Sequence, residues 1–179
     1  MKNFFKIVIS FLTCTVLLSG CVYEPIVSRD AYLTAFPQYS EAKNKIPELP
    51  NGYMRLYVYR PQAFVGMLDN PVITINGNSM GNPKNPYENR FLPGTVFVVD
   101  TPEDIARVSW YWDSMSDSMK QSIKILTLSS TEARTWYARW HIPPLNFPGE
   151  RFLEVINQQT AIQELESLRF TSYVRLERP

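Results

Sequence analysis

From Tyr53 to Arg60 the chain reads Tyr-Met-Arg-Leu-Tyr-Val-Tyr-Arg, a strict alternation that Pro61 ends. Period-two alternation predicts a strand with one face in a core and the other turned away. Pro71–Gly77 is a second apolar run leading into Asn76-Gly77, the dipeptide best suited to a two-residue hairpin. Asn78–Arg90 is polar, carries Gly81, Pro83 and Pro86, and reads as loop. Further strands are predicted at Thr95–Asp100, after the Pro93-Gly94 turn, and at Ile105–Trp112, after Thr101-Pro102-Glu103-Asp104. Gln121–Leu128 follows, with Ile123 and Ile125 on one face, then Thr135–Ile142 and the shorter Phe152–Ile156. Only near the end does the period change. Ile162, Leu165 and Leu168 recur every three residues after Thr160, a candidate cap, and predict a short amphipathic helix closing one edge or face. Six or seven short strands with turns between them predict an all-β antiparallel β-sandwich of immunoglobulin-like or transthyretin-like type.

Residues 1–20 follow a different pattern. Lys2 and Lys6 are their only charges, and Ile7–Leu18 is a run of twelve apolar or small residues. Twelve helical residues do not cross a bilayer core of about 30 Å, so this is the pattern of an export signal rather than a span. The run ends in Leu18-Ser19-Gly20-Cys21, which resembles a bacterial lipobox. The resemblance implies cleavage between Gly20 and Cys21, a diacylglycerol thioether on Cys21 and an acyl chain, palmitate for example, on the freed amine. One acyl chain holds a protein only marginally, whereas several together anchor it effectively for good. Val22 stands where bacterial lipoproteins retained in the inner membrane tend to carry Asp. The expected location is therefore the outer membrane of a Gram-negative envelope, with the domain facing the periplasm. Cys14 lies inside the apolar run and is removed with it.

Residues 21–50 contain Pro25, Pro37, Pro47 and Pro50, which exclude a long element and suggest a tether. Helical turns fit Ser28–Phe36 and Ser40–Lys45, with Ser28 and Ser40 as caps. Tyr32, Leu33 and Phe36 leave open a second reading, in which part of this stretch docks on the domain. The expected organisation is a signal at 1–20, a tether at 21–50 and a sandwich at 51–179.

Composition narrows function mainly by exclusion. The chain has 179 residues, is 45% hydrophobic and 20% charged, and carries a net charge of +1. It can bury a core, and it lacks the basic excess expected of a nucleic-acid binder. Removing residues 1–20 takes away Lys2 and Lys6 and leaves 16 basic against 17 acidic groups, a net of −1. The remaining 159 residues contain Cys21 as their one cysteine, so no internal disulfide can form.

Catalytic patterns are scarce. His141 is the single imidazole, there is no Gly-x-Ser-x-Gly elbow, and zinc would need more nitrogen or sulfur ligands than the chain offers. The acidic turns at Glu103-Asp104 and Asp113–Asp117 lack the spacing of a calcium loop. No metal or cofactor is expected, and the expected role is non-enzymatic.

Aromatic residues offer two candidate surfaces. Val108, Trp110 and Trp112 share one face of their strand, as do Trp136, Ala138, Trp140 and Ile142. These are either the core or a platform for sugar rings such as those of peptidoglycan. On the opposite faces, Arg55, Tyr57 and Tyr59 join Tyr137, Arg139 and His141 as a candidate protein-binding surface.

Gly52–Pro61, with Phe64-Val65-Gly66 after it, resembles bacterial lipoproteins carrying the DUF2846 domain. The strand Val72–Gly77, the loop glycine Gly81, Gly94–Asp100, Trp136–Trp140, Phe152–Val155 and Ala161–Leu168 fit the same pattern. The likeness covers roughly residues 50–170. It departs where Pro102-Glu103-Asp104 replaces a Pro-Gly turn and where Thr131-Glu132-Ala133 replaces a glycine. The resemblance implies an envelope lipoprotein and brings no catalytic residues. The expected partners are the membrane, through the lipid, and another envelope protein, with peptidoglycan as the alternative.

Overall fold

The structure is a computed structural model. It describes residues 34–62, 71–80, 91–102, 104–112, 115–116, 124–141 and 151–178. The lipobox, Cys21 and residues 28–33 of the predicted turn Ser28–Phe36 lie outside these residues. The compact unit runs from Phe36 to Pro179, so the domain begins well before Asn51, the boundary expected from the prolines.

Among the described residues, nine strands form two sheets. The first has five strands in the order β8 (Phe152–Val155), β7 (Thr135–His141), β1 (Met54–Arg60), β4 (Thr95–Thr101) and β9 (Arg169–Arg175). The second orders β3 (Asn78–Ser79), β2 (Val72–Ile75), β5 (Ile105–Tyr111) and β6 (Leu126–Ser129). The second sheet is antiparallel throughout. The first is mixed: β1–β7 and β4–β9 run parallel. That corrects the expectation of a purely antiparallel arrangement, which alternation within single strands cannot decide.

The two sheets share one core. Leu56, Val58, Phe97, Val99, Ala138 and Trp140 of the first meet Ile73, Ile75, Ala106, Val108, Trp110 and Leu128 of the second. The Asn-Gly turn sets the β2–β3 register. Asn76 and Gly77 have φ of 50° and 80°, both in the left-handed region that a type I′ turn needs. The Asn76 carboxamide oxygen also accepts the Arg107 amide at 2.8 Å, tying the turn to β5.

A helical layer covers the other side of the five-stranded sheet. Helix α1 (Tyr39–Ala42) runs into a 3₁₀ turn (Lys43–Lys45), and helix α2 (Gln158–Leu165) precedes β9. Gln38, not Ser40, stands at the start of α1, without a side-chain cap. Asn157 caps α2 by accepting the Thr160 amide at 3.0 Å, displacing the expected cap Thr160 by one turn. Ala161, Leu165 and Leu168 are the buried positions of this region, and Ile162 is exposed. Within α2 the buried positions Ala161 and Leu165 are four apart, and Leu168 follows three residues later, beyond the end of the helix. Together with Tyr39, these residues close over Tyr59, Val96 and Tyr137 as a second, smaller core.

Residues 36–39 continue the sheet rather than hang free. The Tyr39 amide donates to Leu168 O at 2.8 Å, the Phe170 amide to Pro37 O at 2.9 Å, and Arg169 Nη1 to Phe36 O at 3.1 Å. Strand β9 was not anticipated. Its bulge between Val96 and Phe97 pairs Val96 with Phe170 and Phe97 with Ser172, which interrupts the regular alternation.

Candidate functional site

Pairing of β1 with β4 and β7 brings all six candidate residues to the outer face of the five-stranded sheet, in three cross-strand groups. At one end Arg55 forms a forked pair with Asp100 of β4. Nε lies 2.7 Å from Oδ1 and Nη2 lies 2.8 Å from Oδ2. Both residues are buried. Tyr173 adds its hydroxyl to Oδ2 at 2.8 Å, and Arg55 Nη2 also reaches Pro47 O at 2.7 Å. The hydrogen bond to Asp100 raises the Arg55 guanidinium above its ordinary range, outweighing burial.

In the middle, Tyr57 and Tyr137 are register neighbours and stack with centroids 5.0 Å apart. Tyr39 of α1 meets Tyr57 edge-on at 6.2 Å. Burial pushes the Tyr39 and Tyr137 hydroxyls above the ordinary tyrosine range, and the neighbouring Tyr57 adds to it.

At the far end α2 supplies the partners. Tyr59 donates to Glu164 Oε2 at 2.6 Å and Arg139 Nη1 to Glu164 Oε1 at 2.5 Å. Arg139 also grips Glu154 Oε1 from Nε at 3.0 Å and Nη2 at 2.9 Å. His141 Nδ1 lies 3.3 Å from the same oxygen, and its ring stacks on Phe152 at 4.6 Å. Burial and then the Glu164 carboxylate raise the Tyr59 hydroxyl. For Arg139 burial works the other way, and the two glutamates outweigh it, so its guanidinium is raised.

The expected surface therefore needs correcting. Arg55, Tyr59 and Tyr137 are buried, and Tyr57, Arg139 and His141 are half-buried. The helices roof this face, and its polar groups bind one another. Asp100, Tyr173, Glu154 and Glu164 escaped sequence reasoning. The available signal was a carboxylate in an otherwise apolar strand, Val96–Thr101, which is costly to bury without a cation. The Trp platform is corrected too. Trp110 and Trp140 are buried in the inter-sheet core, perpendicular at 5.1 Å, with Trp112 and Trp136 packed against that core.

The chain matches no family model, no curated protein and no solved structure. The geometry alone therefore locates a candidate surface, the outer face of the four-stranded sheet. In β5 the inward positions are Ala106, Val108 and Trp110, and Ile105, Arg107, Ser109 and Tyr111 turn outward. Thr127 and Ser129 flank them from β6, and Thr74 and Ser79 from β2 and β3. Hydroxyls dominate: Thr74 and Ser109 share a hydrogen bond of 2.6 Å. Ile105 (47% exposed) and, just before β6, Ile125 (55%) are large apolar side chains left in solvent. Among the described residues no group of three His, Cys, Asp or Glu could hold a metal, and no helix is long and apolar enough to cross a membrane.

Proposed function

We propose that this chain is a lipid-anchored envelope lipoprotein whose two-sheet domain binds or scaffolds another envelope protein, without catalysis. The register of Lys2, Lys6, the apolar run and Leu18-Ser19-Gly20-Cys21 carries the anchored reading. In this reading Cys21 holds the acyl chains, the outer membrane is the anchoring surface and the domain faces the periplasm. Likeness to DUF2846 lipoproteins is proposed on the motifs at Gly52–Pro61 and Trp136–Trp140, and an immunoglobulin-like or transthyretin-like fold on the short strands in two sheets.

The binding reading rests on the exposed Ile105 and Ile125 beside a flat face of hydroxyls and one arginine. Such a mixed apolar and polar patch suits a protein partner. The glycan alternative is less favoured, because Trp110 and Trp140 are buried in the core and Trp112 and Trp136 pack against it.

Photoreactive residues placed at Thr127, and at Tyr57 as a roofed control, test this in intact cells. A discrete protein adduct from position 127 and none from 57 is expected. Adducts with murein alone would reject the scaffold reading. Palmitate labelling that persisted in Cys21→Ser would reject the anchor.

A further inference from the structure

Resting on the anchored reading, we propose that an arginine row at one end of the five-stranded sheet binds the phosphate headgroups of an anionic phospholipid surface. The row follows from strand register. Arg134 precedes β7, and its carbonyl accepts the Arg55 amide at 2.8 Å. Arg55 is paired with Asp100 of β4, and Asp100 with Arg175 of β9. Three strand spacings of about 4.8 Å put Arg134 and Arg175 about 14 Å apart. Between them in the strand register, among the described residues, stands the carboxylate of Asp100, buried and committed to Arg55 and Tyr173.

The outer arginines are held but not neutralised. Arg134 Nη2 reaches Pro50 O at 2.6 Å and Tyr53 O at 3.3 Å, both neutral carbonyls. Arg178 lies over the Tyr53 ring at 5.8 Å. Arg175 lies over Tyr173 at 5.9 Å, with Nε 3.1 Å from its hydroxyl. Glu48, Glu132 and Glu177 are close in sequence, yet among the described residues none forms an ion pair with these three. All three arginines are exposed. Arginine's fork matches phosphate oxygens, and carbonyl and ring contacts restrict its rotamers before binding. Tyrosine beside it is suited to a boundary between water and lipid.

Without residues 1–20 the chain carries 16 basic against 17 acidic groups, a net of −1, so no overall positive excess draws it to an anionic surface and any attraction is local to these arginines. Guanidiniums spread along a row suit an array of headgroups better than one small anion, which would need them to converge. Each arginine near an anionic surface is expected to contribute about a fivefold gain in association.

Phenylglyoxal modification of the full lipoprotein, mixed with vesicles and read per residue by mass spectrometry, tests the proposal. With phosphatidylglycerol vesicles at low salt, Arg134, Arg175 and Arg178 should each react about fivefold more slowly than with phosphatidylcholine. The protection should vanish at about 1 M salt, where charges are screened within about 3 Å. Arg107, on the other sheet, serves as the internal control. Equal rates in both vesicles, or equal slowing of Arg107, would overturn the proposal. So would the same protection from inorganic phosphate alone, which would assign the row to a soluble anion. Arg175→Gln/Arg178→Gln, both at exposed positions, should abolish protection of Arg134 while leaving thermal unfolding unchanged. Unaltered Arg134 protection in that variant would also count against the row. The intact mass separates the two readings: protection without added acyl mass would sink the anchor and leave the arginine row standing.

Discussion

Arg55 and Asp100 sit opposite each other on neighbouring antiparallel strands and join through two nearly equal hydrogen bonds of 2.7 and 2.8 Å. Asp100 is fully buried and Arg55 is 8% exposed. Removing one partner leaves the other charged and dry. Asp100→Ala is expected to cost about 3–5 kcal/mol. The double variant Arg55→Met/Asp100→Leu should recover most of that loss. Urea unfolding of the single and double variants checks this, and a double variant no better than the single would refute it.

Alkaline pH should unfold the domain through its tyrosines. Tyr39, Tyr59 and Tyr137 are all raised above the ordinary value near 10. The folded state therefore prefers the protonated hydroxyl, and the unfolded chain ionises first. Their contribution is complete below about pH 10 and is lost as pH rises through the folded values, at up to about 1.4 kcal/mol per unit for each tyrosine. Tyrosinate absorbance and loss of tertiary signal should rise together. Ionisation of these tyrosines well before unfolding would contradict the prediction.

Helix α2 is fastened by charge as well as by packing. Glu164 accepts both the Tyr59 hydroxyl and Arg139. Glu164→Ala orphans a buried hydroxyl and is expected to cost about 1–3 kcal/mol. Leu165→Ala, at a position with no exposed surface, should cost about 2–5 kcal/mol. Hydrogen exchange in α2 should accelerate in both variants, and an unchanged helix would show that the roof is held elsewhere.

The Asn76-Gly77 turn offers a test free of packing. A methyl group added at Gly77 meets no atom within 4 Å, so only its φ of 80° opposes substitution. Gly77→Ala should cost about 1–2 kcal/mol through left-handed strain alone. Thermal unfolding measures it, and a neutral result would mean that the hairpin relaxes.

Strand positions were legible because alternation and proline or glycine punctuation are local. β1, β4, β5 and β7 lie within a residue or so of their expected ends. Two features were hidden for physical reasons. The outer face of β1 alternates as a solvent-facing strand would, yet Arg55 and Tyr59 are buried, because their partners Asp100 and Glu164 lie 45 and 105 residues away. β9 carries a bulge that breaks its period, so Arg169–Arg175 gave no strand signal. Of the expected strand Gln121–Leu128, residues 121–123 lie outside the described residues; β6 starts at Leu126, and Ile125, just before it, stands in solvent. The polar stretch after Gly77 holds the two-residue strand β3, which is too short to produce a pattern.

The short run Phe36–Tyr39 has a mechanical meaning. It lies along the border of β9 and is secured by three hydrogen bonds, one of them from Arg169. A tug on the chain ahead of Phe36 would load these bonds before any interior strand felt the force. The same run occupies the start of that border, where another molecule's strand could otherwise be recruited, so one stretch of backbone serves as both strain relief and guard rail.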